Sequence, residues 1–69
     1  MELYIKGKIA RKGMRVETFR GEPAILREWY EPGTHSGGSG GRVYIELEGG
    51  SEGLYFQSII GGEFREEAL

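Results

Sequence analysis

The residues with the clearest chemical potential lie in a glycine-rich stretch, EPGTHSGGSGG, at positions 31–41. His35 beside Ser36 has the residue types of a general base and a nucleophile. A nucleophilic triad also needs a third group that orients the imidazole, and the chain contains no Asp. The surrounding glycines give the pair no rigid support. We therefore expect an exposed loop histidine here and no catalytic residues.

The same stretch could hold a phosphate or link two domains. A phosphate-binding loop ends in Gly-Lys-Ser/Thr and opens a helix, whereas this one lacks the lysine and is followed by RVYIELE, a strand pattern. A linker needs a domain on each side, and 69 residues are too few for two. We interpret residues 31–41 as a flexible hairpin loop within a single domain, 1–69.

Other enzyme and metal chemistry lacks its components. Glu46 and Glu48 could hydrolyse glycosides only if they faced another acid across a cleft, and a small barrel fills its interior with side chains. With no cysteine and one histidine, the chain offers neither a disulfide nor a thiolate or multi-histidine metal site. We expect a protein that is not an enzyme and that uses no metal or cofactor.

Charge is distributed unevenly along the chain. Residues 1–20 hold six Lys and Arg against two Glu, a net charge of +4, and the remainder holds three Arg against nine Glu, a net charge of −6. A basic stripe can bind the phosphate backbone of a nucleic acid. The candidate residues for that binding are Lys6, Lys8, Arg11, Lys12 and Arg15. An ordinary solvated face is the competing interpretation.

Period-two alternation predicts β-strands as the elements that position these residues. In order, the predicted strands are ELYIKGKIA, MRVETF, AILREWYE, RVYIELE, LYFQ and EFRE. The first lies within 1–11 and is expected as one extra N-terminal strand with a bulge at Gly7. SIIGG is expected as an apolar turn before the last strand, and 67–69 as a frayed tail.

Alternation also predicts which side chains face the core. In RVYIELE the apolar residues Val43 and Ile45 point inward, and in LYFQ the alternation predicts Leu54 inward and Tyr55 outward. Phe56 is then expected inward and Gln57 outward. In ELYIKGKIA the apolar residues Leu3, Ile5 and Ile9 share the inner face. The register of 24–31 stays open, because its apolar residues fall on both faces.

The layout resembles SH3-like barrels from RKGMRVETFRGEPAILREWYEP through GRVYIELEGGSEGLYFQSIIGGEFRE, over about residues 12 to 66. The resemblance implies an all-β domain, a small SH3-like barrel of five to six short antiparallel strands whose closure protects strand edges. GRVYIELEG followed by YFQSIIGGEF is also similar to short, uncharacterised proteins of phages and prokaryotic mobile elements. The absence of Asn, Asp and Cys fits a thermophilic source. It fits a designed or GC-rich coding sequence as well.

Three kinds of function are compatible with such a barrel. The first is a binding or inhibitory accessory protein that engages a protein partner through outward aromatic and charged strand residues. The candidates for that surface are Trp29, Tyr30, Tyr44, Tyr55 and Arg42. The second is nucleic-acid binding by the basic third, and the third is a virion or assembly component, a homo-oligomer through its strand edges. The sequence contains no run of about 18 apolar residues, the length that would predict a membrane span. We expect a cytoplasmic protein.

Residues 52–58, EGLYFQS, match the recognition pattern of the tobacco-etch potyviral protease apart from Gly53. The flanking IELEGGS and IIGGEFRE continue the strand pattern on both sides. The segment is therefore interpreted as part of a folded hairpin, in which a protease could not reach it.

Overall fold

The computed structural model describes residues 1–66 as seven short strands and one 3-10 turn. The strands are β1 (Glu2–Ile5), β2 (Lys8–Ile9), β3 (Arg15–Glu17), β4 (Pro23–Tyr30), β5 (Arg42–Leu47), β6 (Glu52–Tyr55) and β7 (Gly62–Arg65). The 3-10 turn, Gln57–Ile60, forms from the apolar segment predicted as a turn before the last strand. The frayed tail predicted at 67–69 lies outside the described residues.

The strands form two antiparallel sheets, with orders β2-β1-β7 and β3-β4-β5-β6. The all-β, antiparallel class is confirmed, with seven strands rather than five or six. The strand pairing of residues 1–66 leaves the two sheets separate, without a closed barrel. In the same part of the chain, no helix has the length and apolar character needed to cross a membrane.

Both sheets and the 3-10 turn contribute side chains to one core. The buried apolar residues are Leu3, Ile5, Ala10, Val16, Ala24, Leu26, Val43, Ile45 and Ile60. Val43 and Ile45 were predicted to face inward, and both are fully buried. The Cα radius of gyration is 11.4 Å, close to the value of about 11 Å expected for a folded domain of this length. The chain is therefore compact around this core.

The N-terminal segment differs from its prediction as one bulged strand. Lys6 and Gly7 both have positive φ, 50° and 82°, the geometry of a two-residue hairpin turn. The chain therefore reverses after Ile5, and β2 pairs back on β1. Ile9 is 47% exposed instead of inward, and Ala10 takes the core position.

Strand β4 contains the irregularity that left its register open in the sequence. The pairing with β5 shifts between Leu26 and Glu28, which leaves Arg27 as an extra, bulged residue. Ala24 and Leu26 face the core before the bulge, and Trp29 packs against the core after it. A bulge changes which alternate residues face inward. Even-numbered residues therefore face the core before it and an odd-numbered residue after it, which explains why the apolar residues of this strand alternate irregularly.

The orientation predicted for LYFQ is wrong by one residue. Residues directly opposite each other in a sheet share a face, and Tyr55 lies opposite the buried Val43. Leu54 lies opposite Tyr44 on the outer face, where it is 50% exposed. The inner position opposite Ile45 is Gly53, and the Tyr55 ring comes within 3.2 Å of where a Cβ on that glycine would be.

The glycine-rich loop, 31–41, folds back on itself through turns. Its backbone bonds include Gly33 N–H to the Gly38 carbonyl at 2.6 Å and Gly38 N–H to the Thr34 carbonyl at 3.0 Å. Gly37 and Gly41 are buried. The flexibility predicted for this loop stays a prediction, but part of its backbone packs against the domain.

The potyviral protease is expected not to cut the native protein at residues 52–58. A protease binds its substrate as an extended chain, whereas here Glu52–Tyr55 lies in β6 and the next residues but one, Gln57 and Ser58, lie in the 3-10 turn. Gln57, which would precede the scissile bond, donates its side-chain amide to the Gly40 carbonyl at 2.7 Å. Gel electrophoresis after incubation should show an intact chain, and cleavage should appear once urea unfolds it. Rapid cleavage without urea would contradict the assignment of this segment.

Candidate binding surfaces

Five side chains, three of them aromatic, form a surface on the outer face of β4, β5, β6 and the residue after β6. We call it the outer patch, and it consists of Tyr30, Arg42, Tyr44, Leu54 and Phe56. Leu54 and Phe56 are exposed, and the other three are partly exposed. Tyr30 lies opposite Arg42, and Tyr44 lies opposite Leu54. The Arg42 guanidinium carbon is 4.0 Å from the centroid of the Phe56 ring. The cation–π contact joins β5 to the residue after β6 at one end of the patch.

Arg42 also fixes the patch to the glycine-rich loop. Its Nη1 donates to the Gly41 carbonyl at 2.7 Å and to the Gly37 carbonyl at 3.3 Å. Three contacts on one guanidinium hold its plane over Phe56, because the hydrogen bonds set its orientation. The outer patch and the loop are therefore coupled through a single side chain.

Acidic side chains lie beside the outer patch. The Tyr44 hydroxyl donates to a Glu52 carboxylate oxygen at 3.1 Å, and this hydrogen bond raises the pKa of Tyr44. Glu46 forms an ion pair with Arg27. Within residues 1–66, Glu48 and Glu52 have no cationic partner at ion-pair distance. The edge of the patch near the β5–β6 turn is therefore negative.

The structure brings together three of the five predicted protein-binding residues: Tyr30, Arg42 and Tyr44. Trp29 and Tyr55 instead pack against the hydrophobic core, so the outward orientation predicted for Tyr55 is wrong. The positions that the sequence missed are Leu54 and Phe56, which the predicted register had placed inward. The alternation of side chains across the β5–β6 hairpin could have identified them. Glu46 points outward and lies opposite Glu52, so the residues two and four positions after Glu52 point outward as well.

The five predicted nucleic-acid-binding residues are all exposed, but they differ in whether they form an ion pair. Lys12 Nζ lies 2.9 Å from a Glu28 carboxylate oxygen, and this hydrogen bond, followed by one from the Trp29 amide, lowers the pKa of Glu28. Within the described part of the chain, no carboxylate lies at ion-pair distance from the other four, which are Lys6, Lys8, Arg11 and Arg15. Three of these four line one depression, and Arg11 does not.

The candidate residues for enzyme and metal chemistry do not form a site within residues 1–66. His35 and Ser36 are exposed and share no hydrogen bond. Glu46 is occupied by Arg27 on the sheet surface. Across residues 1–66, no three His, Cys, Asp or Glu side chains come together as a metal site needs.

Comparison with known proteins gives no relative for this chain. No family model, curated protein or solved structure matches it. The resemblances to SH3-like barrels and to phage proteins, and the thermophilic source, therefore stay predictions. Function has to be inferred from the surfaces themselves.

Proposed function

We propose that this protein is a non-catalytic binding module that engages a protein partner through the outer patch. The observation that supports the proposal is the exposure of two large apolar side chains, Leu54 at 50% and Phe56 at 58%, beside Tyr44 and Arg42. Aromatic residues and arginine are enriched where binding energy concentrates in protein interfaces. An exposed apolar cluster with a polar rim is typical of an interaction site.

The form and charge of the patch favour a protein over a small molecule. Small-molecule sites are concave and mostly apolar, whereas these side chains stand on the open face of a sheet. Glu48 and Glu52 lie at its edge and have no cationic partner within residues 1–66. They favour a partner surface whose rim contains Lys or Arg, because interface charges are arranged to be complementary. The partner is therefore proposed to have an apolar centre and a basic rim.

We also propose an SH3-like arrangement of the two sheets. It is supported by the route of the chain, in which the 3-10 turn follows β6 and leads into β7, which returns to pair with β1. An experimental structure with strand β4 continuing from one sheet into the other would support closure. Two sheets that stay separate would leave a β-sandwich.

The binding proposal is tested with Leu54→Ser and Phe56→Ser, against Phe19→Ser as a matched control. Phe19 is 75% exposed on a different part of the chain, so its replacement removes a ring that is even more accessible than that of Phe56. A protein captured from the source cell is first purified, and its affinity for each variant is measured by calorimetry. We expect each patch variant to bind about 30-fold more weakly, the loss that marks a binding hot spot. The control should bind like the parent.

Equal binding by Leu54→Ser, Phe56→Ser and the parent would contradict the proposal. Light scattering is run in parallel, since a concentration-dependent oligomer that Phe56→Ser dissolves would assign the outer patch to self-association and overturn the partner proposal. Circular dichroism of each variant must show the parent spectrum, so that loss of binding is not loss of folding.

A further inference from the structure

A second surface is basic where the outer patch is aromatic. It has three cationic side chains around one depression of about 370 Å³. Lys6, Lys8 and Arg15 line it, with Ile5 and Val16 among the apolar residues beneath. We name this site the basic depression. We propose that it binds the phosphate backbone of a single-stranded nucleic acid, independently of the protein partner at the outer patch.

The first support is that these cations are free for a ligand. Three of the six other basic side chains form ion pairs: Lys12 with Glu28, Arg27 with Glu46, and Arg65 with Glu63. Within residues 1–66, the three cations of the basic depression have no such carboxylate. Among the described residues of the lining, Glu17 is the one with an acidic side chain. An unneutralised cluster attracts a polyanion, because its release of counterions favours binding.

The second support is that the backbone holds the cations in place. Lys6 occupies the β1–β2 turn, and its N–H donates to the Gly61 carbonyl at 3.0 Å. Lys8 pairs with Ile5 in one sheet, and Arg15 pairs with Ile25 in the other. The cations thus come from both sheets and line the seam between them. Such a seam offers a phosphate backbone cationic contacts from both sheets.

The third support is an exposed ring on the loop after β3, two residues beyond Glu17 of the lining. The Phe19 N–H donates to the Ile59 carbonyl at 2.8 Å, so Phe19 and Lys6 are both attached to the 3-10 turn and the glycine after it. Phe19 is 75% exposed, and the Arg20 guanidinium carbon is 5.5 Å from its ring centroid. Bases stack on exposed aromatic rings when they are not paired. The ring therefore favours a single strand over a duplex or a sulfated polysaccharide.

The test is fluorescence anisotropy with labelled oligothymidylate and oligouridylate of about 12 nucleotides, a length within the usual site size of a small barrel. With three phosphates neutralised, the logarithm of the association constant should fall with the logarithm of salt concentration with a slope of about −2. Lys6→Gln, Lys8→Gln and Arg15→Gln should each reduce that slope by about 0.7. Lys12→Gln is the matched control, because it removes the same charge from a lysine already paired with Glu28.

Two further variants separate a nucleic-acid site from a general anion site. Glu17→Gln should tighten binding, since it removes the carboxylate from the lining. Phe19→Ala should weaken oligonucleotide binding about 5- to 100-fold, the usual effect of losing one stacked base, and should leave the affinity for heparin unchanged.

Several results would overturn the proposal. One is the absence of any anisotropy change at low salt. A second is a loss in Lys12→Gln equal to that in Lys8→Gln, which would indicate a diffuse charge effect. A third is oligonucleotide binding that Phe19→Ala does not alter and that heparin matches, which would indicate a polyanion of any kind. None of these results bears on the outer patch, because Leu54→Ser and Phe56→Ser leave the basic depression intact.

Discussion

Replacing Gly41 with alanine is expected to destabilise the protein by about 2–4 kcal/mol, from left-handed backbone strain together with overpacking. Gly41 has φ +82°, and a Cβ there would lie 2.5 Å from Cε2 and 2.9 Å from Cδ2 of Phe64. The Pro32 Cδ would be 3.2 Å away on another side. The Phe64 ring cannot withdraw freely, because it packs against the core from β7. Thermal and urea unfolding followed by circular dichroism measure the change.

The adjacent Gly40 provides the matched control. A Cβ on Gly40 would meet only Cε1 of Phe56 at 4.0 Å, an ordinary contact, and its φ lies outside the left-handed region. Gly40→Ala should therefore change the free energy of unfolding by no more than about 0.5 kcal/mol. If Gly41→Ala is as mild as Gly40→Ala, the loop is not packed on Phe64, and 31–41 behaves as the freely flexible hairpin loop that its composition predicts.

The strands of this fold could be predicted from the sequence wherever alternation is uninterrupted. RVYIELE becomes β5 with Val43 and Ile45 buried, because a half-buried strand requires apolar residues at every second position. Pro23 begins β4, as expected for a residue that cannot donate a backbone hydrogen bond. These features depend on local chemistry, which the sequence displays directly.

Register and chain reversal were harder to predict, because each depends on a partner strand. Lys6 takes a positive φ that non-glycine residues seldom adopt, so nothing in KGK distinguishes a hairpin turn from a bulge. The orientation of LYFQ was wrong because Leu54 and Phe56 appeared to be the apolar pair of a buried face. The pairing of β5 with β6 instead places Gly53 and Tyr55 inward.

The candidate sites were predictable only in part, because they too depend on strand register and on pairing between distant residues. Residue type alone identified Tyr30, Arg42 and Tyr44, but the missed register excluded Leu54 and Phe56 from the outer patch. For the basic residues, the sequence shows charge but not pairing. Lys12 and Lys8 look equivalent in the chain, and only the fold places Glu28 beside one of them.

Replacing Ile45 with alanine is expected to destabilise the protein by about 2–5 kcal/mol, the cost of a buried isoleucine cavity. Ile45 is fully buried, between Leu26 of β4 and Gly53 of β6. A domain of this size is stable by only about 3–10 kcal/mol, so the midpoint of thermal unfolding should fall by at least about 10 °C.

The control for Ile45→Ala is Leu54→Ala, on the neighbouring strand, and it distinguishes the two registers of the β5–β6 hairpin. With Leu54 on the outer face and 50% exposed, its truncation should cost no more than about 1 kcal/mol. With the opposite register, Leu54 would be a core residue and its truncation would cost as much as that of Ile45, because a slip of one residue exchanges the two faces of a strand. Equal losses in the two variants would therefore refute the register, and with it the outer patch on which the proposed partner binds.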